Sequence, residues 1–151
     1  MQVTPTSIKW YSLLKLPAAY FSGVRVQTVD DNACLVRVRL KWINQNPFKS
    51  MFWAVQGMAA ELATGALLMR LLHTTNIKAS MLVIETKATF SKKAVGLILF
   101  ECNQGEELKK SIIKAATDNE PQQLCLHAKG IDSSGDEVSS FSFLWTIKTK
   151  N

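Results

Sequence analysis

The chain has 151 residues, of which 47% are hydrophobic and 20% are charged, and its formal net charge is +6 at neutral pH. This length suits one domain with one hydrophobic core, and the composition excludes a wholly disordered or collagen-like chain. The positive charge favours anionic partners such as phosphate-bearing molecules, nucleic acid or a membrane surface, without choosing among them.

Residues 1–20 predict a helix that covers the rest of the fold. Between Ser7 and Leu16 the apolar residues recur at helical spacing, and Pro17 ends the pattern. Lysines interrupt these apolar residues and no small-residue cleavage site follows, so we expect no signal peptide. The odd number of cysteines, without metal-ligand spacing, favours reduced thiols in a cytoplasmic protein; they are Cys34, Cys102 and Cys125.

The sequence from Val24 to Trp42 alternates with period two around a turn at residues 30–32, which predicts a hairpin. In its second strand, Arg37, Arg39 and Lys41 lie on one face. The opposite face is apolar and consists of Val36, Val38, Leu40 and Trp42. The pattern is typical of a strand with one buried side.

Residues 51–72 predict a long central helix with Ser50 as N-cap. Its sequence is apolar on every side and rich in small residues, so we expect other structure to wrap it closely. Glu61 interrupts the apolar stretch and Arg70 ends it. No uninterrupted apolar run therefore reaches the ~18 residues that a membrane-spanning helix needs. We therefore predict a buried helix and no membrane insertion.

The remaining sequence predicts two strands at 81–90 and 95–102, a helix at 105–116 and two further strands at 124–131 and 138–149. Leu108, Ile112 and Ala116 share one face of that helix. The strand connections favour a largely antiparallel sheet. The fold class predicted for residues 1–151 is one α+β domain in which a curved sheet wraps the central helix.

Glu61 is the strongest candidate for a functional residue. An ionised carboxylate rarely enters an apolar interior, and burial would raise its pKa towards neutrality and make it a better general base. The alternative is a structural glutamate that pairs with a basic neighbour. Gln56, Gly57 and Thr64 lie about one turn from Glu61 and could line the same pocket, although plain packing is the favoured role for each.

Asn46, Phe52 and Glu61 are spaced as in one known group of enzymes. The chain resembles the hotdog-fold acyl-CoA thioesterases of the phenylacetate-pathway type, which carry an asparagine, then a His-Gly-Gly at the helix start, then an acidic residue. Asn46 and Glu61 match this pattern, while Phe52, Trp53 and Ala54 replace His-Gly-Gly. The helix at 105–116 is similar to an insertion in an uncharacterised branch of that superfamily.

The resemblance implies hydrolysis of a thioester by a homodimer or a tetramer. Glu61 would act as general base or nucleophile, and the backbone N–H groups of Trp53 and Ala54 would hold the oxyanion. These groups lie about 12 Å apart along the helix axis, since each residue adds ~1.5 Å. One chain cannot bring both to one carbonyl, so the catalytic hypothesis requires a twofold dimer.

Coenzyme A carries phosphates, and its binding requires cations near the pocket. Lys92 and Lys93 are the candidates, with Lys87 and Arg39 behind them, although an ordinary solvated turn explains these lysines equally well. Asn46 could hold the loop before the helix or contact substrate. The aromatic residues that could line the pocket or belong to the core are Phe48, Phe52, Trp53 and Phe90.

Two other functions remain open. A non-catalytic acyl or lipid carrier would keep the fold and the pocket without the chemistry. An RNA-binding module would use the basic strand face of Arg37, Arg39 and Lys41. We expect no metal site, because His73 and His127 are isolated, and no cofactor apart from the coenzyme A of an acyl-CoA substrate.

Overall fold

The computed structural model describes residues 2–150 and contains helices and strands in the predicted order. The helices are α1 (Pro5–Lys15), α2 (Pro17–Phe21), α3 (Trp53–Thr74) and α4 (Gly105–Asp118). The strands are β1 (Arg25–Val29), β2 (Cys34–Arg39), β3 (Ala79–Phe90), β4 (Leu97–Cys102), β5 (Gln122–Ile131) and β6 (Glu137–Thr149). A short 3-10 turn (Trp42–Asn44) follows β2.

The six strands form one sheet in the order β1-β2-β4-β5-β6-β3, and all neighbours in it are antiparallel. The predicted antiparallel α+β architecture is confirmed. Strand β3 lies beside β6, not beside β4, which follows it in the chain. The sheet therefore has β1 at one edge and β3 at the other.

Helix α3 lies against the inner face of this sheet and supplies much of the core. Its fully buried residues include Ala59, Ala63 and Leu67. The small side chains let the strands approach the helix closely: a methyl group built on Gly57 or Gly65 would already touch the Phe141 or Trp145 ring of β6. None of the helices within residues 2–150 is long and apolar enough to cross a membrane.

The predicted start of the central helix is wrong by two residues. Helix α3 begins at Trp53 with Phe52 as N-cap, and no side chain caps it. Ser50 makes side-chain hydrogen bonds with Asn46 in place of an N-cap bond. These bonds close the loop between Asn46 and Ser50, so the helix begins only after this loop.

The predicted inward position of Trp42 is also wrong. Strand β2 ends at Arg39, and Trp42 lies in the 3-10 turn with 84% of its surface exposed. The Asn44 side chain accepts a hydrogen bond from the Lys41 backbone N–H and donates one to the Arg39 carbonyl. These bonds turn the chain away from the sheet before Trp42 can continue the alternation.

The smaller helices differ from the prediction in detail. Helix α1 ends just before Pro17, as predicted, but Pro17 also begins the additional short helix α2, because proline is well suited to a first helical position. On α4, Ala115 is buried and Ala116 is exposed, so the predicted face was correct at Leu108 and Ile112 and shifted by one residue beyond them.

Candidate active site

The loop before α3 is held by Asn46. Its side-chain oxygen accepts hydrogen bonds from the backbone N–H groups of Phe48 and Ser50, at 2.9 and 3.2 Å. Its amide nitrogen donates to the Ser50 hydroxyl at 3.0 Å. These bonds agree with the loop-holding role that the sequence left open for Asn46.

The first backbone N–H groups of α3 are free. Val55 and Gln56 donate to the Phe52 carbonyl, whereas Trp53 and Ala54 find no acceptor within the described part of the chain. The first turn of a helix always leaves such donors, and they carry the partial positive charge of the helix dipole. The start of α3 can therefore bind an anionic oxygen.

An open pocket of about 780 Å³ lies at this helix start, and we call it the helix-start pocket. It brings together eight of the site candidates that the sequence singled out. They are Asn46, Phe48, Phe52, Trp53, Gln56, Phe90, Lys92 and Lys93. Ala54, Gly57, Thr64 and Lys87 do not line it.

Gln56 forms the buried floor of the helix-start pocket. Its amide nitrogen donates to the Met51 carbonyl at 3.3 Å, and its oxygen accepts a hydrogen bond from the Ser139 hydroxyl at 2.7 Å. Both ends of the amide are thus already occupied by the protein. The side chain links α3 to β6 and fixes the shape of the floor.

The lysines expected to attract phosphate have different surroundings. Lys92 is bound between Asp132 and Asp136, at 2.6 and 2.7 Å, so its charge is largely matched. Lys87 lies outside the pocket and pairs with Glu85 at 3.3 Å, which corrects its prediction as a pocket residue. Lys93 is exposed at the pocket wall and makes no ion pair within residues 2–150.

Glu61 lies in a second pocket of about 410 Å³ between α3 and the N-terminal helices, and we call it the Glu61 pocket. The expected burial of Glu61 is wrong for the single chain, in which its side chain is exposed. The pocket walls are nevertheless mostly apolar. They include Ile8, Tyr11, Leu16, Met58, Leu62, Met69, Met81 and Trp145.

These walls change the acidity of the carboxyl group. Loss of water around the side chain raises the pKa of Glu61 above its ordinary value, and no basic partner opposes the shift. Lys15 is the other charged residue that lines the pocket, and it forms no ion pair with Glu61 in the described structure. The expected rise in pKa is thus present, and the alternative of a paired structural glutamate is not supported.

Thr64, which could have lined the same pocket as Glu61, is not among the residues that line the Glu61 pocket. It is fully buried, and its hydroxyl donates to the Glu61 carbonyl one turn earlier in α3, at 2.9 Å. The Thr64 hydroxyl oxygen also accepts a hydrogen bond from the Trp145 indole N–H at 3.1 Å. Thr64 therefore positions the Trp145 ring, which itself forms a wall of the pocket.

Several residues of the Glu61 pocket are not among the site residues predicted from the sequence. Met58 and Gly65 lie three residues before and four residues after Glu61, so helical spacing alone could have identified them. The contribution of Trp145 and Met81 depends on the pairing of β3 with β6. No local pattern carries that information.

The second half of β3 has an uncovered inner face. Thr86, Ala88 and Phe90 are paired with Phe143, Phe141 and Ser139 of β6, whose side chains are buried against the core. The β3 residues on this same face are nevertheless exposed. Trp53, which is 58% exposed, and Phe52 are further apolar residues without cover.

A separate basic depression of about 250 Å³ lies towards the other edge of the sheet. Its lining includes Arg25, Arg37, Arg39 and Lys41. Arg39 is thus away from the helix-start pocket, and its prediction as a supporting residue of that pocket is wrong.

Comparison with known proteins identifies both a family and a fold. The family described as "Domain of unknown function (DUF4442)" matches residues 8–147. Among curated protein sequences none matches significantly.

Solved structures share the architecture at low sequence identity. A protein of unknown function from Pseudomonas aeruginosa, described as a probable thioesterase, has a TM-score of 0.82 and 21% identity, with 97% of each chain covered. A protein of unknown function from Chlorobaculum tepidum TLS has a TM-score of 0.83 and 17% identity, with 99% of each chain covered. These similarities confirm the hotdog fold over nearly the whole chain.

Proposed function

The chain belongs to the DUF4442 family, and from this premise and its hotdog fold we propose that it hydrolyses an acyl thioester such as an acyl-CoA. The observation that carries the proposal is Glu61, a carboxylate with a raised pKa in a mostly apolar pocket and with no ion-pair partner within residues 2–150. Such a group can accept a proton from water and lies where an acyl chain can be buried. The name of the Pseudomonas aeruginosa protein supports the same reaction class.

In the proposed reaction Glu61 removes a proton from water as the water oxygen adds to the thioester carbonyl. The free N–H groups at an α3 start hold the negative charge that develops on the carbonyl oxygen. The carbon–sulfur bond then breaks, and the departing thiolate takes up the proton. The products are a carboxylic acid and a thiol, and the glutamate returns to its ionised form.

Two copies of the chain are needed for this geometry. Trp53 and Glu61 lie about 12 Å apart along α3, because each residue adds ~1.5 Å. The uncovered inner face of β3 lies at a sheet edge, and such an edge can pair with another strand. We propose that a second copy pairs there and presents its α3 start to Glu61, with Lys93 near the phosphates of the substrate.

The test is turnover of a panel of acyl-CoA esters of increasing chain length. Glu61→Gln keeps the size of the side chain and removes the base, so we expect its kcat/KM to fall by about 100-fold or more. Lys109→Gln, on the exposed side of α4, is the control and should retain full activity. Absence of turnover on every ester, or equal activity of Glu61→Gln, would contradict the enzyme proposal.

A second candidate is a non-catalytic acyl carrier. The observation that favours it is the pair of bulky aromatic residues, Phe52 and Trp53, at the helix start that an oxyanion must approach. A carrier would retain a fatty acyl ligand in native mass spectrometry and show no turnover. An enzyme would release free thiol under the same conditions.

A further inference from the structure

One surface at the β1 edge combines exposed apolar residues with basic residues. We call it the edge surface, and it comprises Phe21, Arg25, Arg37, Arg39, Lys41, Trp42 and Ile43. Phe21, Trp42 and Ile43 are 63%, 84% and 56% exposed. Large apolar side chains with this exposure are costly in water when they lie together.

The basic residues of the edge surface lack counter-charges. Arg25 and Arg37 are directly opposite each other in the pairing of β1 with β2, an arrangement of like charges that destabilises a sheet. Arg39 and Lys41 line the same depression. Within residues 2–150 none of the four forms an ion pair. An anionic partner would remove this repulsion.

A chain of contacts connects the basic and apolar parts. The Arg25 guanidinium lies 3.8 Å from the centre of the Tyr20 ring and donates to the Tyr20 carbonyl at 2.7 Å. The Tyr20 ring meets the Phe21 ring edge-on, with centres 5.5 Å apart. Tyr20 therefore links Phe21 to the Arg25 guanidinium.

Asn44 fixes the other half of the surface. Its side chain is 2% exposed and donates to the carbonyls of Ser22 and Arg39, at 2.9 Å each. This amide joins the end of α2 to the end of β2. Trp42 and Ile43 directly precede Asn44, so this amide holds their backbone near Ser22, the residue that follows Phe21, and near the end of β2.

We propose that the edge surface docks the protein on an anionic lipid bilayer. Tryptophan and phenylalanine suit the interface between headgroups and acyl chains, and arginine and lysine are drawn to anionic headgroups. An RNA partner would use the cations and the Trp42 ring but would leave Ile43 in water. A twofold contact between two copies would bring the basic residues against each other, which is unfavourable.

The experiment measures sedimentation of the full chain with vesicles of phosphatidylcholine alone or mixed with phosphatidylserine, at low and high salt. We expect binding to the mixed vesicles only, and loss of it at high salt. Arg37→Glu combined with Lys41→Glu should weaken binding by about tenfold or more, because each basic residue near the surface contributes to attraction. Trp42→Ala should weaken it without changing the salt dependence.

The matched control is Lys109→Glu combined with Lys114→Glu, which makes the same charge change on the exposed side of α4. It should lose less than twofold in binding. Arg37→Glu places an acid opposite Arg25, so the fold should be retained, and circular dichroism checks this. If a variant fails to fold, Arg37→Gln with Lys41→Gln replaces it.

Several outcomes would overturn the proposal. The wild-type chain could fail to bind phosphatidylserine vesicles at low salt, or the control could lose as much binding as the test variant. Tighter binding to single-stranded RNA, without vesicle binding, would assign the surface to nucleic acid. Trp42→Ala could instead halve the mass in light scattering, and the surface would then be covered by a second copy.

Discussion

For Glu61 the direction of the pKa shift was predicted correctly, whereas its burial within the single chain was not. Its isolation in an apolar helix predicted a special role, and the structure gives it a raised pKa. The sequence could not show that the surrounding face of α3 is open in one chain, because an apolar face covered by a partner has the same pattern as one covered by a sheet. The same ambiguity applies to Trp53.

The raised pKa of Glu61 predicts a pH-dependent effect on stability. Its folded-state pKa lies above the ordinary value of 4.5, so ionisation opposes folding. The stability that this group contributes is complete below pH 4.5 and is lost as pH rises through the folded-state pKa. Glu61→Gln should therefore be more stable than wild type at pH 8, and the difference should vanish at pH 4.

Urea unfolding at the two pH values measures this difference. Glu120→Gln, an exposed substitution after the end of α4, is the control and should show no such trend. A Glu61→Gln variant that is less stable than wild type at pH 8 would show that the carboxylate has a stabilising partner after all.

The three cysteines should differ in reactivity. Burial raises the pKa of Cys34 to about 12 and also raises that of Cys102, whereas Cys125 is exposed. The thiolate is the reactive form, so at pH 8 Ellman's reagent should modify one thiol quickly in the folded protein and all three in denaturant. The Cys125→Ser variant should show almost no fast reaction; fast modification of a second thiol would mean that β2 and β4 open readily.

Secondary structure elements were predicted well where periodicity was strong and poorly where a side chain ended an element. The order of helices and strands is as predicted. The end of β2 was not predicted correctly. It depends on a hydrogen bond from the Asn44 side chain to the carbonyl of Ser22, which lies 22 residues earlier in the chain. The start of α3 depends similarly on the loop closed by Asn46.

Gly105, the first residue of α4, has no room for a side chain. The Gly105 backbone N–H donates to the Asn32 carbonyl at 2.9 Å, and an added methyl group would overlap the Asp31 carbonyl. Because backbone atoms cannot yield as a flexible side chain can, Gly105→Ala should lower the free energy of unfolding by about 1–3 kcal/mol.

Thermal and urea unfolding of Gly105→Ala measure this loss. Lys109→Ala, one turn along the exposed side of α4, should change stability by less than about 0.5 kcal/mol. Equal stability of the two variants would show that the β1–β2 turn can move away from α4.

At the scale of the whole molecule, the fold class was predictable and the arrangement of the site was not. Residues 46–56 are close in sequence, so their convergence at the helix-start pocket follows from local structure. The Glu61 pocket combines α1, α2, α3, β3 and β6, and its walls depend on contacts between residues far apart in the chain.

The uncovered inner face of β3 predicts a dimer with a mass about twice 16.8 kDa. Ala88→Lys places a charge on this face, where a partner would remove it from water. We expect the dimer to weaken by about 100-fold, since burying an unpaired charge costs several kcal/mol. Thr89→Lys, on the opposite face of the same strand, should weaken it far less. Light scattering over a range of protein concentrations measures the mass of each variant and so compares the strength of their dimers. A monomeric wild-type chain would contradict the predicted dimer.

The position of β6 has a consequence for synthesis of the chain. Residue Ala79 pairs with Thr149, and β6 lies between β5 and β3, so β3 has no neighbour until β6 has been made. During synthesis, β3 and the α3 face beneath it therefore stay exposed to water until about 60 further residues have emerged from the ribosome. This takes several seconds at ~5–20 residues per second. The nascent chain is then most exposed to misassociation and to holdase chaperones, and emergence of β6 commits it to the native sheet.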